Sequence, residues 1–194
     1  RRSSDLKKEE KGVNMDYQIL RSERKTVVIQ VETDGTVTVR APKRCSFRKI
    51  DNFVREKEHW IRTKQEEIAV NRKKFSGKKL TEKERESLRQ KAGILLGERT
   101  ALYAERMQVS YKRITIRDQK TRWGSCSTAG NLNFNWRLVL APREVLDYVV
   151  IHELAHRREM NHSAAFWRIV EAEMPDYRKY RDWLKKNGSF LMEM

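Results

Sequence analysis

The chain has 194 residues, enough for one domain with a small appendage and a sizeable core. Hydrophobic residues make up 38%, with five Trp, six Tyr and six Phe, which excludes a disordered chain despite 36% charged residues. Forty-three Lys and Arg stand against twenty-seven Asp and Glu, a net charge of +16 that suits an anionic partner such as nucleic acid, or equally a solvated basic surface.

Residues 1–13 are polar and read as a disordered tail. "RRSSDLKKEEKG" carries positive charge with no apolar stretch behind it, so it is not a signal peptide. "YQILRS" (17–22) supplies a strand. "TVVIQVETDGTVTVRAP" (26–42) alternates apolar and polar residues about Asp34-Gly35, the pattern of a hairpin. From Ser46 to about Asn71, Ile50, Phe53, Val54, Trp60, Ile61 and Ile68 recur at helical spacing, and "FSGKKL" (75–80) ends that pattern. Thr81 with Glu84 forms a capping box that opens a helix running to about Met107. These signals divide the chain into an amino-terminal strand-and-helix extension, 14–78, and a main domain, 79–194.

In the main domain Ile114 and Ile116 alternate on a strand, and Leu132, Phe134 and Trp136 alternate on another. Gly124 and Gly130-Asn131 punctuate the segments between, so two or three antiparallel strands are expected. Pro142 suits the first position of the next helix, which carries His152 and His156. Further helices follow Ser163 and Met174-Pro175-Asp176. No repeat, P-loop or dinucleotide fingerprint is present. No apolar run approaches the ~18 residues of a membrane helix. Cys45 and Cys126 lie in dissimilar contexts, which fits a reducing compartment, and a cytoplasmic location is expected.

"HELAHRREMNH" (152–162) holds three of the four histidines. On a helix His152 and His156 stack one turn apart and both reach one zinc ion at about 2.0–2.1 Å, with Glu153 carried beside it. A carboxylate there can take a proton from the attacking water, whose pKa zinc lowers. Six further residues of helix would turn His162 about 120° off that face, so the chain has to break and fold back. Asn161 is the expected breaker, through the left-handed conformation that ends helices, and Ser163 then caps the next helix. Glu171 and Glu173 stand in reserve as third ligand. The alternative readings are a surface helix with incidental histidines, and a structural zinc site with Cys126 as fourth ligand.

"TRWGSCS" (121–127), "NLNFNWRLVLAP" (131–142), "YVVIHELAH" (148–156) and "NHSAAFW" (161–167) together resemble the YgjP-like metallopeptidase-domain family. The "DGTVTVRAP" strand and the "FVREKEHWIRTK" helix are similar to that family's amino-terminal half. The end of the motif, a histidine followed by three residues and then Phe-Trp, is also similar to the WLM and SprT-like proteases. The resemblance implies a single zinc held by His152, His156 and His162, with Glu153 as general base. Glu159 stands where metzincins have a glycine, and no Met-turn follows.

Softer candidates surround this set. Arg122 is a candidate oxyanion contact, Trp123 and Gly124 an edge strand for a peptide to extend, and Tyr148 a group that orients a ligand or polarises the scissile carbonyl. Each has a plainer reading, as a surface arginine, a packed tryptophan or a core tyrosine. The expected fold is therefore α+β, a minimal zincin-like domain with a small antiparallel sheet against the HExxH helix. The expected activity is zinc-dependent peptide hydrolysis on a peptide or protein substrate, without membrane association. Two alternatives stay open: metal-dependent hydrolysis of nucleotide phosphoanhydrides, and a nucleic-acid-associated module with structural zinc.

Overall fold

A computed structural model describes residues 15–75 and 80–194; the expected tail at 1–13 and most of "FSGKKL" fall outside them. The chain divides between Gly77 and Lys78 into two compact units. It is a mixed α and β protein, with six α-helices and two small sheets among the described residues.

The first unit holds β1 (Gln18–Ser22), β2 (Val28–Val31), β3 (Val37–Pro42), α1 (Phe47–Glu56) and α2 (Glu58–Phe75). Between β2 and β3, Gly35 adopts φ 90, and the Asp34 carboxylate accepts from the Thr36 amide at 2.8 Å. This is the Asp-Gly turn expected from the sequence. Val37, Val39 and Ala41 of β3 pack with Ile50, Val54 and Ile61 to make this unit's core. Trp60 is 43% exposed and takes no part in it. The helical stretch read as continuous is broken at Lys57. Neither Gly nor Pro stands at the break, so the apolar spacing runs across it unmarked.

The second unit holds α3 (Glu82–Arg106), β4 (Arg113–Arg117), β5 (Gly124–Cys126), β6 (Asn131–Asn135), a 3-10 turn (Trp136–Leu140), α4 (Arg143–Ala155), α5 (Ala164–Glu173) and α6 (Tyr177–Met192). The capping box at Thr81 and Glu84 is formed. Trp136 begins the 3-10 turn and is not part of the strand; the Asn135 side chain caps that turn and ends the alternation. Pro142 is the N-cap of α4, one place before the position expected of it.

The expectation of an antiparallel sheet in the main domain is corrected, and the first unit's sheet has the same mixed topology. Each sheet has its third strand in the middle, in the orders β1-β3-β2 and β4-β6-β5. β1 runs parallel to β3, and β4 parallel to β6; only the hairpin pairs are antiparallel. The cause is connection length. The tight hairpins force β2 beside β3 and β5 beside β6, whereas 23–27 and 118–123 are long enough to step over one strand position, roughly 10 Å. The third strand then fills the gap.

α4 is buried almost all round, from Val145 to Ile151 and again from Glu153 to Ala155, as a helix sandwiched in a core must be. Its one aspartate in that run, Asp147, is matched by a fork from Arg99 of α3 at 2.7 and 2.8 Å, with the Tyr103 hydroxyl donating at 3.2 Å. Such bidentate pairing is what makes a buried carboxylate tolerable. Beneath α4 lie Leu132, Phe134, Trp136 and Leu138, all fully buried and each contributing about 1.5–3 kcal/mol by area. The helix that bears His152 and ends at His156 is therefore anchored in the unit's buried core. No helix among the described residues is long and apolar enough to cross a membrane.

Candidate metal centre

His152 and Glu153 lie in the last turn of α4, and His156 is its C-cap. The helix ends there, earlier than the break expected at Asn161. Arg157, Arg158 and Glu159 continue the descent with amide bonds back to Leu154 and Ala155 at 2.9–3.0 Å. The chain then swings His162 back to the histidine face. Among the described residues only Gln108 has positive φ outside glycine, so the left-handed bend expected at Asn161 is not made. Instead, the Asn161 side chain accepts from the Ser163 amide at 2.9 Å, a local turn that needs no strained backbone. Ser163 caps α5, accepting from the Phe166 amide at 3.3 Å.

One nitrogen from each of His152, His156 and His162 lies within 4.8 Å of the others. The Nε2 atoms of His152 and His162 face each other at 3.0 Å. His156 Nδ1 is 3.0 Å from the Glu159 carbonyl, which holds its ring and leaves Nε2 free. Phe166, fully buried, forms the floor: its ring centroid is 4.8, 4.5 and 4.8 Å from those of His152, His156 and His162. Trp167 stacks on His162 at 5.9 Å and on Tyr177 at 5.2 Å. The aromatic pair thus fixes the second half of the cluster to α5 and α6.

Burial dominates the electrostatics on the α4 side of the cluster, while His162 is exposed. Burial pushes His152 down to about 3, reinforced by His156 and His162 beside it. Burial likewise lowers His156, and it pushes the Glu153 carboxyl up to about 8. Glu153 is 5% exposed and faces the backbone of β5. A Cβ on Gly124 would meet its Oε1 at 2.6 Å and its Cγ at 2.8 Å. Only glycine leaves room for the carboxyl at that wall.

A cavity of about 380 Å³ opens over His152 and Glu153. Arg122, Trp123, Gly124 and Tyr148, the four softer candidates, all line it. Trp123 is also packed, with its ring against Gly188 of α6. Tyr148 is 5% exposed, and burial pushes its hydroxyl up to about 12. Cys126 is half-buried and lies outside the histidine cluster, so a three-histidine and one-cysteine set is not formed. Glu171 and Glu173 are also outside it, engaged with Arg178 at 2.8 Å and Arg106 at 2.7 Å. With His162 in the cluster the reserve ligands are not called on, and both carboxylates point to arginines.

Sequence reasoning missed the contribution of α6. Arg181, Leu184 and Lys185 complete the cavity wall, and Tyr177 braces Tyr148 and Trp167. A basic pair four apart on an amphipathic helix is a common surface pattern and carried no signal of a site.

The family model described as "YgjP-like, metallopeptidase domain" matches residues 25–85 and 72–187. No curated protein matches the chain. Among solved structures, the metallopeptidase zymogen of Pyrococcus abyssi abylysin is similar at 24% identity, over 48% of this chain and 90% of that one, with a TM-score of 0.41. With most of its length matched, including the segment of the three histidines, the chain belongs to the YgjP-like metallopeptidase-domain family and is a hydrolase of the metallopeptidase class.

Proposed function

We propose that the chain is a zinc metallopeptidase in which His152, His156 and His162 hold the ion and Glu153 is the general base. Residues 79–194 are the catalytic, zincin-like domain in this reading, and 14–78 an extension. One observation carries it: three imidazole nitrogens within 4.8 Å of one another, with a buried carboxyl at the wall of the adjoining cavity.

The residues fit the group. Three imidazoles beside an open cavity suit the donor set of catalytic zinc, whereas magnesium and calcium take oxygen. The Glu159 carbonyl on His156 Nδ1 is the outer contact that orients a ligating ring. When bound, zinc supplies Lewis-acid polarisation of the scissile carbonyl and a lowered pKa for the attacking water.

The chain's own groups do the rest. Glu153 accepts the proton of the attacking water on its carboxylate and passes it to the leaving amine. β5 is an edge strand beside Glu153, so an extended peptide can add to it and lie across the site. Tyr148, which keeps its proton at neutral pH, and Arg122 are the donors available to a developing oxyanion. Two free cysteines suit a reducing, cytoplasmic setting. A second reading, hydrolysis of phosphoanhydrides, is favoured by one observation, the three cations Arg122, Arg181 and Lys185 on the cavity wall.

Elemental analysis of the purified protein is expected to find about one zinc per chain. A protein that carries none after zinc-supplemented expression and binds none on titration would overturn the proposal.

Gly124→Ala probes the wall of the cavity. The new methyl displaces the Glu153 carboxyl, and a shift of about 1 Å at a reacting group costs on the order of a hundredfold in rate. Peptidase activity is expected to fall by that factor while zinc content stays at the wild-type level. Full activity in this variant would show that Glu153 acts from another position, or not at all.

A further inference from the structure

The cavity beside the histidines has one wall of an unexpected kind. Part of its lining is apolar or aromatic: Trp123, Tyr148, Val149 and Leu184. Three cations interrupt it, Arg122 from the loop before β5, and Arg181 and Lys185 one turn apart on α6. The only acidic residue lining the cavity is Glu153. Arg181 and Lys185 have one carboxylate near them, Asp182, at 3.8 and 3.7 Å, beyond hydrogen-bond reach and itself 55% exposed. No carboxylate among the described residues pairs with Arg122.

Arg181 is held in place by stacking. Its guanidinium lies over the rings of Trp167 at 5.4 Å and Tyr177 at 5.7 Å, and its Nε is buried without a hydrogen-bond partner. A guanidinium packed over two aromatic rings has less conformational freedom left to lose, so an anion that meets its exposed part gains a charge-assisted contact at lower entropic cost. Arg99 and Arg106 of the same unit, by contrast, are held close by carboxylates, Asp147 and Glu173, at 2.7 Å.

We infer that this wall is a carboxylate-binding subsite, formed by Arg181 with Arg122 and Lys185, and that the preferred substrates are peptides carrying a carboxylate within reach of the scissile bond. The inference rests on the metallopeptidase reading and names its substrate class. The carboxylate has two sources, an Asp or Glu side chain or the free carboxy terminus of a short peptide.

The test uses the zinc-loaded full chain and a set of fluorogenic peptides. Each carries Glu or its neutral isostere Gln at one position on either side of the cleaved bond, with the carboxy terminus free or amidated. At one position, or at the free terminus, the acidic form is expected to exceed its neutral partner roughly ten- to a hundredfold in kcat/KM, mainly through KM. A side-chain effect that survives amidation identifies Asp or Glu; loss on amidation identifies the terminus. In Arg181→Gln, and in the more exposed Lys185→Gln should the former fold poorly, the acidic-to-neutral ratio is expected to fall toward one. Added salt should narrow it as well. Cleavage with no acidic preference at any position overturns the subsite while leaving the peptidase intact. If no peptide is cleaved, the peptidase reading fails separately, and the subsite is judged by calorimetric titration of zinc-loaded Glu153→Gln with the same peptides. Tighter binding of the acidic forms by about tenfold or more supports it; equal binding, or hydrolysis of a nucleoside triphosphate with no preference among peptides, overturns it.

Discussion

Glu153→Gln is expected to keep its zinc and lose peptide hydrolysis by about a thousandfold, within the range that removal of a general base costs. The two side chains have the same shape, so the amide fills the space that Gly124 leaves and the cavity over His152 is preserved. What changes is chemical. A carboxylate oxygen can accept a proton from water and give it up again, and an amide oxygen cannot at neutral pH. The histidine cluster does not include Glu153, so zinc content measured on the same preparation is expected to match wild type. Burial without charge compensation pushes this carboxyl up to about 8, which marks it as a costly group to keep in the pocket. The variant is therefore expected to melt no lower than wild type when both are metal-free, a trade of activity against stability common at catalytic positions. Loss of zinc equal to that of a histidine variant would make Glu153 a ligand instead.

His156→Ala is expected to weaken zinc binding by more than a hundredfold, since removing even an outer contact of a ligand typically costs ten- to a hundredfold. The effect should exceed that of an ordinary core truncation because two contacts disappear together. His156 supplies a donor nitrogen to the cluster, and its Nδ1 ties the ring to the Glu159 carbonyl that shapes the turn leading to His162. Competition with a chromophoric chelator reads the affinity directly, and activity should fall in parallel. Glu171→Ala and Glu173→Ala are the counterparts: each removes a carboxylate paired with an arginine outside the histidine cluster, and zinc affinity is expected to stay within about twofold of wild type. A drop in affinity for Glu173→Ala with none for His162→Ala would move the third ligand to α5.

Features set by neighbours in the chain were legible in the sequence. The helical repeat places His152 and His156 on one face with Glu153 beside them, and needs only four residues to do so. The Thr81–Glu84 box, the Ser163 cap and the Asp34-Gly35 turn are likewise closed by hydrogen bonds within three residues. The need for a reversal before His162 also followed from helical geometry, although its chemistry did not: an Asn161 side chain bonded to Ser163 replaces the expected left-handed residue, and both fit the same letter. Tertiary structure alone decided the rest. Parallel pairing of β4 with β6 depends on which strand fills a gap, and alternation reads the same in either direction. The approach of Gly124 to Glu153, the aromatic floor under three imidazoles and the cations that α6 brings to the cavity join segments far apart in the chain. Their spacing obeys no period, because it is set by which faces the core buries and which it leaves at the rim.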